Sequence, residues 1–311
     1  MEPEIPDFKE QKKGESARRR KQSVPRRNWL KKVGGALIAM LGSWSYLRFE
    51  ANWLETTSKT IALEGIEKGG KIRILHLSDL HLSESVPIDS LKLALEESLR
   101  QNPDVMLITG DFITDKLPSE NFRELATSLA KYARQVPTFA CLGNHDGGKW
   151  AQKKGGYDSP RLVKTMLASA KVNLLENKSQ RVFIKGQPFV LSGVGDYWSK
   201  SCLPQACLRP LSSPAPRTGE PTILLCHNPD AKELLENYRW DLMLCGHTHG
   251  GQFRIPFLGY APFAPVVDRS MAEGLHQWKG RTIHVTRGIG NLYGIRLNCR
   301  PEISILDLVS T

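Results

Sequence analysis

Short apolar runs, each followed at once by an Asp, His or Asn beside a glycine or proline, recur along this sequence. Each run has the length of a buried strand, about 4–8 residues. Between the early runs, apolar residues recur at helical spacing, as Ile88, Leu91, Leu95 and Leu99 do. Strands that alternate with helices early and follow one another later predict an α/β domain built on mixed sheets.

The same patterns give the approximate position of each element. Predicted strands cover 71–78, 104–109, 138–143, 181–186, 189–195, 222–227, 241–246, 281–288 and 303–308. Predicted helices cover 88–99, 122–133, 161–170 and 230–238. The proline-rich stretch 204–221 is typical of a long loop.

Polar groups of metal-ligand type follow five of these strands. They are Asp79 and His81, Asp111 after Gly110, Asn144 after Gly143, His227 before Asn-Pro, and His247 and His249 after Gly246. In Asp79-x-His81 and His247-x-His249, the spacing of two places both side chains of an extended pair on one side. The strand ends are therefore expected to deliver their polar groups to one site.

Nitrogen and oxygen donors without sulfur indicate which metals this site would take. The seven donors suit manganese, zinc or iron better than magnesium or a structural zinc, and we expect manganese. Seven donors exceed the needs of one ion, whereas two ions sharing one carboxylate would use them all. A two-metal site of this kind is a recurrent device for displacement at phosphorus.

His145 is left over, close to the ligands but not needed as a donor, which is the position of a general acid. A single Asp-x-His or a lone buried histidine is usually structural. Gly-Asn-His-Asp and Gly-His-Thr-His are rarer, and both stand in order at predicted strand ends. The combination favours a catalytic site over a set of unrelated core residues.

These motifs, in this order, resemble the calcineurin-like metallophosphoesterases over about residues 72–309. The resemblance implies a four-layer αββα sandwich of two mixed β-sheets with a dinuclear site at one edge. It assigns Asp79, His81, Asp111 and His249 to one metal, and Asp111, Asn144, His227 and His247 to the other. It also implies that His145 assists the leaving group and that Asp146 orients His145.

A narrower resemblance is carried by PTFACLGNHD, HNPD, WDLMLCGHTHGGQ, APFAPV and TRGIGNLYGIRLNCRPEISIL. These segments are similar to a membrane-associated branch of bacterial phosphodiesterases. That branch is similar to enzymes that cleave the pyrophosphate of UDP-2,3-diacylglucosamine in lipid A synthesis, and this substrate is inferred by analogy.

The N-terminal region differs from the rest in composition. Residues 1–32 contain eleven Lys or Arg and five Asp or Glu, a large share of the formal net charge of +11, and predict a disordered basic tail. Residues 33–50 predict a hydrophobic membrane anchor, although the uncharged run 33–47 is shorter than the roughly 20 residues that span a bilayer. Residues 51–70 are expected to be a linker and 71–311 the catalytic domain.

Tail and anchor together predict contact with an anionic membrane surface. Residues 25–31 also resemble a twin-arginine export signal, with Pro before the arginines and Trp where Phe is usual, so that signal and permanent anchor both stay open. We expect the bacterial inner membrane, with a peripheral or single N-terminal attachment and the domain on the cytoplasmic side, because UDP-linked sugars are cytoplasmic.

Substrate contacts are less visible in the sequence. Arg287, Arg296 and Arg300 suit a diphosphate, although ordinary surface arginine is the commoner explanation. The apolar loop 255–265 suits a lipid tail or packing against its own domain. Trp150, Tyr197 and Trp198 are candidates for stacking on a base.

Three functions remain. They are a membrane-anchored hydrolase of a lipid-linked diphosphate, a phosphodiesterase or nuclease acting on soluble or nucleic-acid substrates, and a metal-binding scaffold without catalysis. The complete ligand set disfavours the scaffold. The anchor favours the lipid-linked substrate and gives no reason to expect a nucleic-acid partner.

Overall fold

The computed structural model of the chain describes residues 26–213, 219–258 and 261–311. Helix α1 (Arg26–Glu50) comes first, so the predicted disordered tail is helical from Arg26 onward. Its remainder, residues 1–25, lies outside the described residues. Among the described helices, none is both long enough and apolar enough to cross a membrane.

The chain forms two compact units, one ending at Trp44 and the other extending from Ser45 to Thr311. The predicted anchor, 33–50, is therefore divided between them. The predicted linker, 51–70, belongs to the second unit and contains a strand of its first sheet. That prediction was wrong because the strand, ETTSKTIA, is polar and mostly exposed on one side, as an edge strand is.

The first sheet has the order β1-β12-β2-β3-β4-β5. Its strands are β1 (Glu55–Ala62), β2 (Lys71–Leu77), β3 (Val105–Thr109), β4 (Thr138–Cys141), β5 (Asn173–Leu174) and β12 (Glu302–Val309). Strands β2 to β5 are parallel, whereas β12 runs antiparallel to β2 and parallel to β1.

Helices cover the outer face of this sheet. They are α2 (Ile88–Arg100), α3 (Ser119–Ala133) and α5 (Arg161–Ser169), and α4 (Lys149–Lys153) is a short helix before α5. Prolines stand at the N-caps of α2, α3 and α5, where a missing N–H costs nothing. Apolar residues at helical spacing, such as Leu91 and Leu95 of α2, pack against Leu75 and Met106 of the sheet.

The second sheet has the order β10-β11-β9-β8-β7-β6. Its strands are β6 (Lys178–Ile184), β7 (Gln187–Gly193), β8 (Thr222–Leu225), β9 (Leu242–Cys245), β10 (Gly274–Trp278) and β11 (Arg281–Val285). Strands β7, β8, β9 and β11 are parallel, and the two edge strands are antiparallel to their neighbours. Strand β10 was not predicted, because GLHQW is short and half-exposed.

Both sheets bury a common apolar layer, so the fold is the predicted sandwich of two mixed β-sheets with helices on the outer face of the first. Ile74 and Leu107 of the first sheet pack against Leu225 and Leu244 of the second. The fourth layer consists of loops and 3₁₀ turns at 204–206, 229–232 and 269–272. The helix predicted at 230–238 is thus a short 3₁₀ segment followed by turns, and its apolar residues still pack on the sheet.

Candidate metal centre

The carboxyl ends of the central strands bring the predicted ligands together. Asp79 and His81 follow β2, Asp111 follows β3 and Asn144 follows β4. From the second sheet, His227 follows β8, and His247 and His249 follow β9. All seven side chains are buried, none more than 4% exposed.

Most of these residues have a left-handed backbone conformation. Asp79, His81, Asp111, His247 and His249 have φ between 48° and 69°, a region that residues other than glycine rarely adopt. Each such residue costs of order 1–3 kcal/mol, and a cluster of them persists only where surrounding contacts hold it. The ligand loops are therefore strained turns fixed by the fold around them.

The first cluster consists of Asp79, His81 and His249. His249 Nε2 lies 3.5 Å from Asp79 Oδ1 and 3.1 Å from His81 Nε2. Asp111 Oδ2 lies 3.5 Å from His81 Nε2 and so borders this cluster.

The second cluster consists of Asp111, His227 and His247. His227 Nε2 lies 3.1 Å from Asp111 Oδ2 and 3.3 Å from His247 Nδ1. Asp111 Oδ2 thus faces both clusters, while Asp111 Oδ1 accepts a hydrogen bond from the backbone N–H of His145. Asp111 is placed to be the carboxylate that two ions share.

Metal ions fit this donor set. Two atoms bound to one ion at about 2.1 Å lie roughly 3.0–3.4 Å apart, close to the separations within each cluster. Asn144 Oδ1 is buried and has no hydrogen-bond partner among the described residues. Asp79, His81, Asp111 and His249 would hold one ion, and Asp111, Asn144, His227 and His247 the other.

Neighbouring threonines fix the ligand rings. The carbonyl of Thr109 accepts a hydrogen bond from His227 Nδ1 (2.6 Å), which directs Nε2 towards Asp111. Thr114 Oγ1 lies 3.0 Å from His81 Nδ1 and does the same for that ring. Sequence reasoning missed both threonines; their only signal is that they flank Gly110-Asp111.

Burial and mutual charge set the protonation of the carboxylates and of His227. Burial raises the pKa of Asp79 to about 6. Burial opposes ionisation of Asp111 as well, but the neighbouring histidines, His227 foremost, together outweigh burial and hold the pKa of Asp111 well below its usual value. Burial likewise opposes charge on His227, yet Asp111 raises the pKa of His227 well above its usual value.

The other ligand imidazoles stay neutral because burial disfavours their charged form. Burial lowers the pKa of His247 to about 3 and the pKa values of His81 and His249 well below the usual value. A neutral imidazole has a free lone pair, so these three rings are ready to bind a cation.

Metal binding is expected to release about one proton per chain near pH 7, because a cation must displace the proton that His227 holds in the metal-free cluster. Affinity should therefore rise with pH, since the competing proton is lost as pH approaches the raised pKa. Titration calorimetry with Mn²⁺ in buffers of different ionisation enthalpy measures the release. A binding enthalpy that is the same in every buffer would contradict this prediction.

His145 lies beside the clusters. Its Nδ1 donates to the carbonyl of Thr114 at 2.8 Å, which leaves Nε2 free, and its ring centroid is 4.8 Å from that of His81. An imidazole oriented in this way could pass a proton from Nε2 to a leaving group.

Asp146 does not orient His145. Its carboxylate accepts backbone N–H groups of Asp111 (2.9 Å), Phe112 (2.7 Å) and Gly143 (2.8 Å). The predicted role was wrong because the turn directs the carboxylate of Asp146 towards these backbone N–H groups. His145 instead donates a hydrogen bond to the carbonyl of Thr114. Asp146 ties the loop after β3 to the loop after β4.

Two glycines permit the close approach of these loops. A Cβ at Gly143 would collide with the carboxylate of Asp111, and a Cβ at Gly246 would collide with Ser78 and the carboxylate of Asp79. Gly250 and Gly251 have positive φ, of 60° and 83°, and allow the turn after His249.

A cleft of about 560 Å³ opens over the ligands. One wall is aromatic: the ring of Trp150 lies 4.8 Å from that of His145, and the ring of Trp198 lies 4.2 Å from that of His247. Tyr197 does not line the cleft. Apolar and aromatic residues also line the cleft: Phe253, Phe263, Pro265, Leu292 and Tyr293.

The predicted phosphate-binding arginines lie elsewhere. Arg296 is fully buried, and its guanidinium donates to backbone carbonyls of the surrounding loops. Arg300 donates to the carbonyls of Trp53 and Leu54, and Arg287 pairs with glutamates, among them Glu302. None of the three lines the cleft, so this prediction was wrong.

The fold and the site define a hydrolase with two neighbouring clusters of ligands, and Asp111 Oδ2 faces both of them. The profile of the calcineurin-like phosphoesterases matches residues 72–251, and the chain belongs to that family. It is a metallophosphoesterase, a family that uses a dinuclear metal site.

Three relatives show how far the similarity extends. The chain is 38% identical to phosphodiesterase YaeI of Escherichia coli, over 92% of this chain and 100% of the relative. It is 29% identical to the uncharacterized metallophosphoesterase YkuE of Bacillus subtilis, over 93% and 99%. It is 25% identical to UDP-2,3-diacylglucosamine pyrophosphatase LpxG of Chlamydia trachomatis, over 76% and 83%.

Proposed function

We propose that this protein hydrolyses the pyrophosphate of UDP-2,3-diacylglucosamine, giving UMP and 2,3-diacylglucosamine 1-phosphate, at the surface of a membrane. The observation that carries the proposal is the cleft, in which apolar side chains stand directly beside the ligand clusters. A phosphate ester without an apolar group gains nothing from such a wall. The relative named for this activity supports the substrate, at 25% identity.

Exposed aromatic residues that line or flank the cleft, here called the rim, suit contact with an acyl chain. Phe263 and Tyr293 are 64% and 70% exposed although they line the cleft, and Phe257 nearby is fully exposed. Burial of one methylene group contributes about 0.8 kcal/mol. An acyl chain that covered this rim would therefore add substantially to binding, while the phosphates lay over the ligand clusters.

Each group of the site has its own role in the proposed hydrolysis. Two divalent ions, which we propose to be manganese, would lower the pKa of water and neutralise the phosphoryl oxygens. Asp111 would contribute a ligand to both ions, and the neutral imidazoles would complete their ligand sets. His145 supplies the proton to the leaving oxygen, because it lines the cleft and its Nδ1 is engaged by the carbonyl of Thr114, which leaves Nε2 for the transfer.

Membrane attachment is the second part of the proposal. Helix α1 exposes large apolar side chains where a helix of a globular unit would bury them: Leu37, Ile38, Met40, Leu41 and Trp44. Such a helix suits the interface of an anionic bilayer, in this case the bacterial inner membrane with the domain on the cytoplasmic side. Cleavage of the domain by protease added outside spheroplasts would contradict this location.

A broader phosphodiesterase activity is the second candidate. It is supported by the relative named phosphodiesterase, at 38% identity, and by the aromatic wall of Trp150 and Trp198, which accepts a flat ring without regard to acyl chains. The two candidate functions differ in whether the acyl groups of the substrate raise kcat/KM.

The test compares three substrates with the Mn²⁺-loaded full chain in mixed micelles: UDP-2,3-diacylglucosamine, UDP-N-acetylglucosamine and bis-p-nitrophenyl phosphate. We expect UMP release with kcat/KM at least ~100-fold higher for the diacylated sugar, which corresponds to burial of about three to four methylene groups. Tyr293→Ala should reduce this preference. Phe183→Ala removes an exposed aromatic ring outside the cleft and serves as the matched control.

Equal rates for the two UDP-sugars would contradict the lipid-linked substrate and favour the broader phosphodiesterase. If neither UDP-sugar released UMP while bis-p-nitrophenyl phosphate was hydrolysed, that result would also contradict the lipid-linked substrate and favour the broader phosphodiesterase.

A further inference from the structure

Glu50 is a buried carboxylate at the end of α1 that takes no part in the ligand clusters. Its side chain is 2% exposed, and Oε1 accepts a hydrogen bond from the backbone N–H of Cys299 at 2.6 Å. One turn earlier, the carbonyl of Leu47 accepts the backbone N–H of Arg296 at 3.1 Å. The last turn of α1 is thus bound at two points to the loop 296–299.

The loop 296–299 donates hydrogen bonds to the backbone carbonyl of His249. Arg296 Nη1 donates to the carbonyls of His249 (3.3 Å) and Cys299 (3.1 Å). The thiol of Cys299 also donates to the carbonyl of His249, at 3.1 Å. Two donors of the loop therefore converge on the backbone of one ligand residue.

The same guanidinium reaches the loop that packs on Asp79. Arg296 Nη2 donates to the carbonyls of Arg287 (2.8 Å) and Gly290 (2.5 Å). Gly290 in turn donates its N–H to the carbonyl of Asp79 at 2.6 Å. Both Asp79 and His249 of the first cluster are consequently connected to Arg296.

These contacts matter because the two ligands are strained. Asp79 and His249 have φ of 52° and 50°, and a residue in that region relaxes unless its neighbours prevent it. Hydrogen bonds to the carbonyl of His249 fix its peptide plane and so the direction of its imidazole. A loop that moved by a fraction of an ångström would shift Nε2 away from Asp79.

We propose that Glu50 is a positioning residue for the first metal, acting through Cys299 and Arg296 on His249. Loss of its carboxylate frees the N–H of Cys299, loosens the loop 296–299 and lets His249 leave the geometry that the ion requires. The inference rests on the metal-binding role of the clusters and is independent of the substrate.

Equilibrium binding of Mn²⁺ to the full chain, read from the signal of free Mn²⁺ in electron paramagnetic resonance, tests the proposal. We expect Glu50→Ala to weaken one of two sites by ~10–100-fold, the usual cost of losing a group behind a ligand, and to leave the other site unchanged. Its kcat on bis-p-nitrophenyl phosphate should fall and return with excess Mn²⁺, while KM stays constant.

Glu50→Gln keeps an oxygen that can accept the N–H of Cys299 and should retain both sites. Glu236→Ala removes a partly exposed carboxylate that pairs with Lys279, and serves as the control. Should Glu50→Ala fail to fold, Glu50→Asp shortens the side chain without removing its charge and should weaken the same site. The proposal is overturned if a folded Glu50→Ala or Glu50→Asp binds two Mn²⁺ with wild-type affinity, or if Glu50→Gln loses as much affinity as Glu50→Ala.

Discussion

Asp111→Asn is expected to lower the metal content from about two ions per chain to less than one and to reduce hydrolysis of bis-p-nitrophenyl phosphate by at least ~10³-fold, equivalent to about 4 kcal/mol of transition-state stabilisation. Oδ2 faces His81 of the first cluster and His227 of the second, so one substitution affects both ions. The amide is isosteric, and the fold should persist. Metal analysis after gel filtration and steady-state kinetics provide the measurement.

Asp115→Asn is the matched control, because Asp115 is exposed and stands four residues further along the same loop. Its metal content and activity should equal those of the wild type. An Asp111→Asn variant that kept two ions and full activity would contradict the role of Asp111 as the shared ligand.

His145→Ala is expected to retain about two ions per chain and to lose turnover by ~10²-fold or more. His145 is held through its Nδ1 by the carbonyl of Thr114, and no ligand ring depends on it for a hydrogen bond. The loss should be largest for substrates whose leaving oxygen must be protonated, and smaller for p-nitrophenyl esters. Kinetics on a series of aryl esters of increasing leaving-group pKa, with metal analysis of the same samples, measures both effects.

Unchanged turnover across that series would contradict the role of His145 as the acid. Loss of one ion from His145→Ala would instead identify His145 as a metal ligand. Its position beside His81 and Asp111 is compatible with that role.

Much of the site could be predicted because of one geometric rule. Polar residues at the carboxyl ends of neighbouring parallel strands must meet at one edge, and β2, β3 and β4, like β8 and β9, are such neighbours. The alternation of strands and helices predicts an α/β domain built on mixed sheets, whereas the four-layer sandwich was implied by the resemblance to the calcineurin-like metallophosphoesterases. Local patterns therefore indicated the candidate metal ligands and the α/β class of the fold.

Other features depend on contacts that local patterns do not carry. Asp146 follows His145 in the sequence, yet the turn sends its carboxylate to three N–H groups of neighbouring loops. Arg296 looks like a surface arginine in sequence, although the loops close around it completely. Its carbonyl partners are backbone groups, which leave no trace in residue types.

The N-terminal boundary was misplaced for a related reason. The sequence signal near residue 33 is hydropathy, which marks the exposed apolar part of α1 but not where the compact domain begins. Glu50 and β1 belong to the domain through hydrogen bonds to the distant segments at Cys299 and β12. Pairing between residues more than 200 positions apart cannot be inferred from either segment alone.

Titration of the metal-free full chain with Mn²⁺, followed by hydrolysis of bis-p-nitrophenyl phosphate, tests the dinuclear site most directly. Two clusters that share Asp111 predict activity that rises to a plateau at two equivalents per chain and is abolished by chelation. A plateau at one equivalent, or full activity after exhaustive removal of metal, would contradict it.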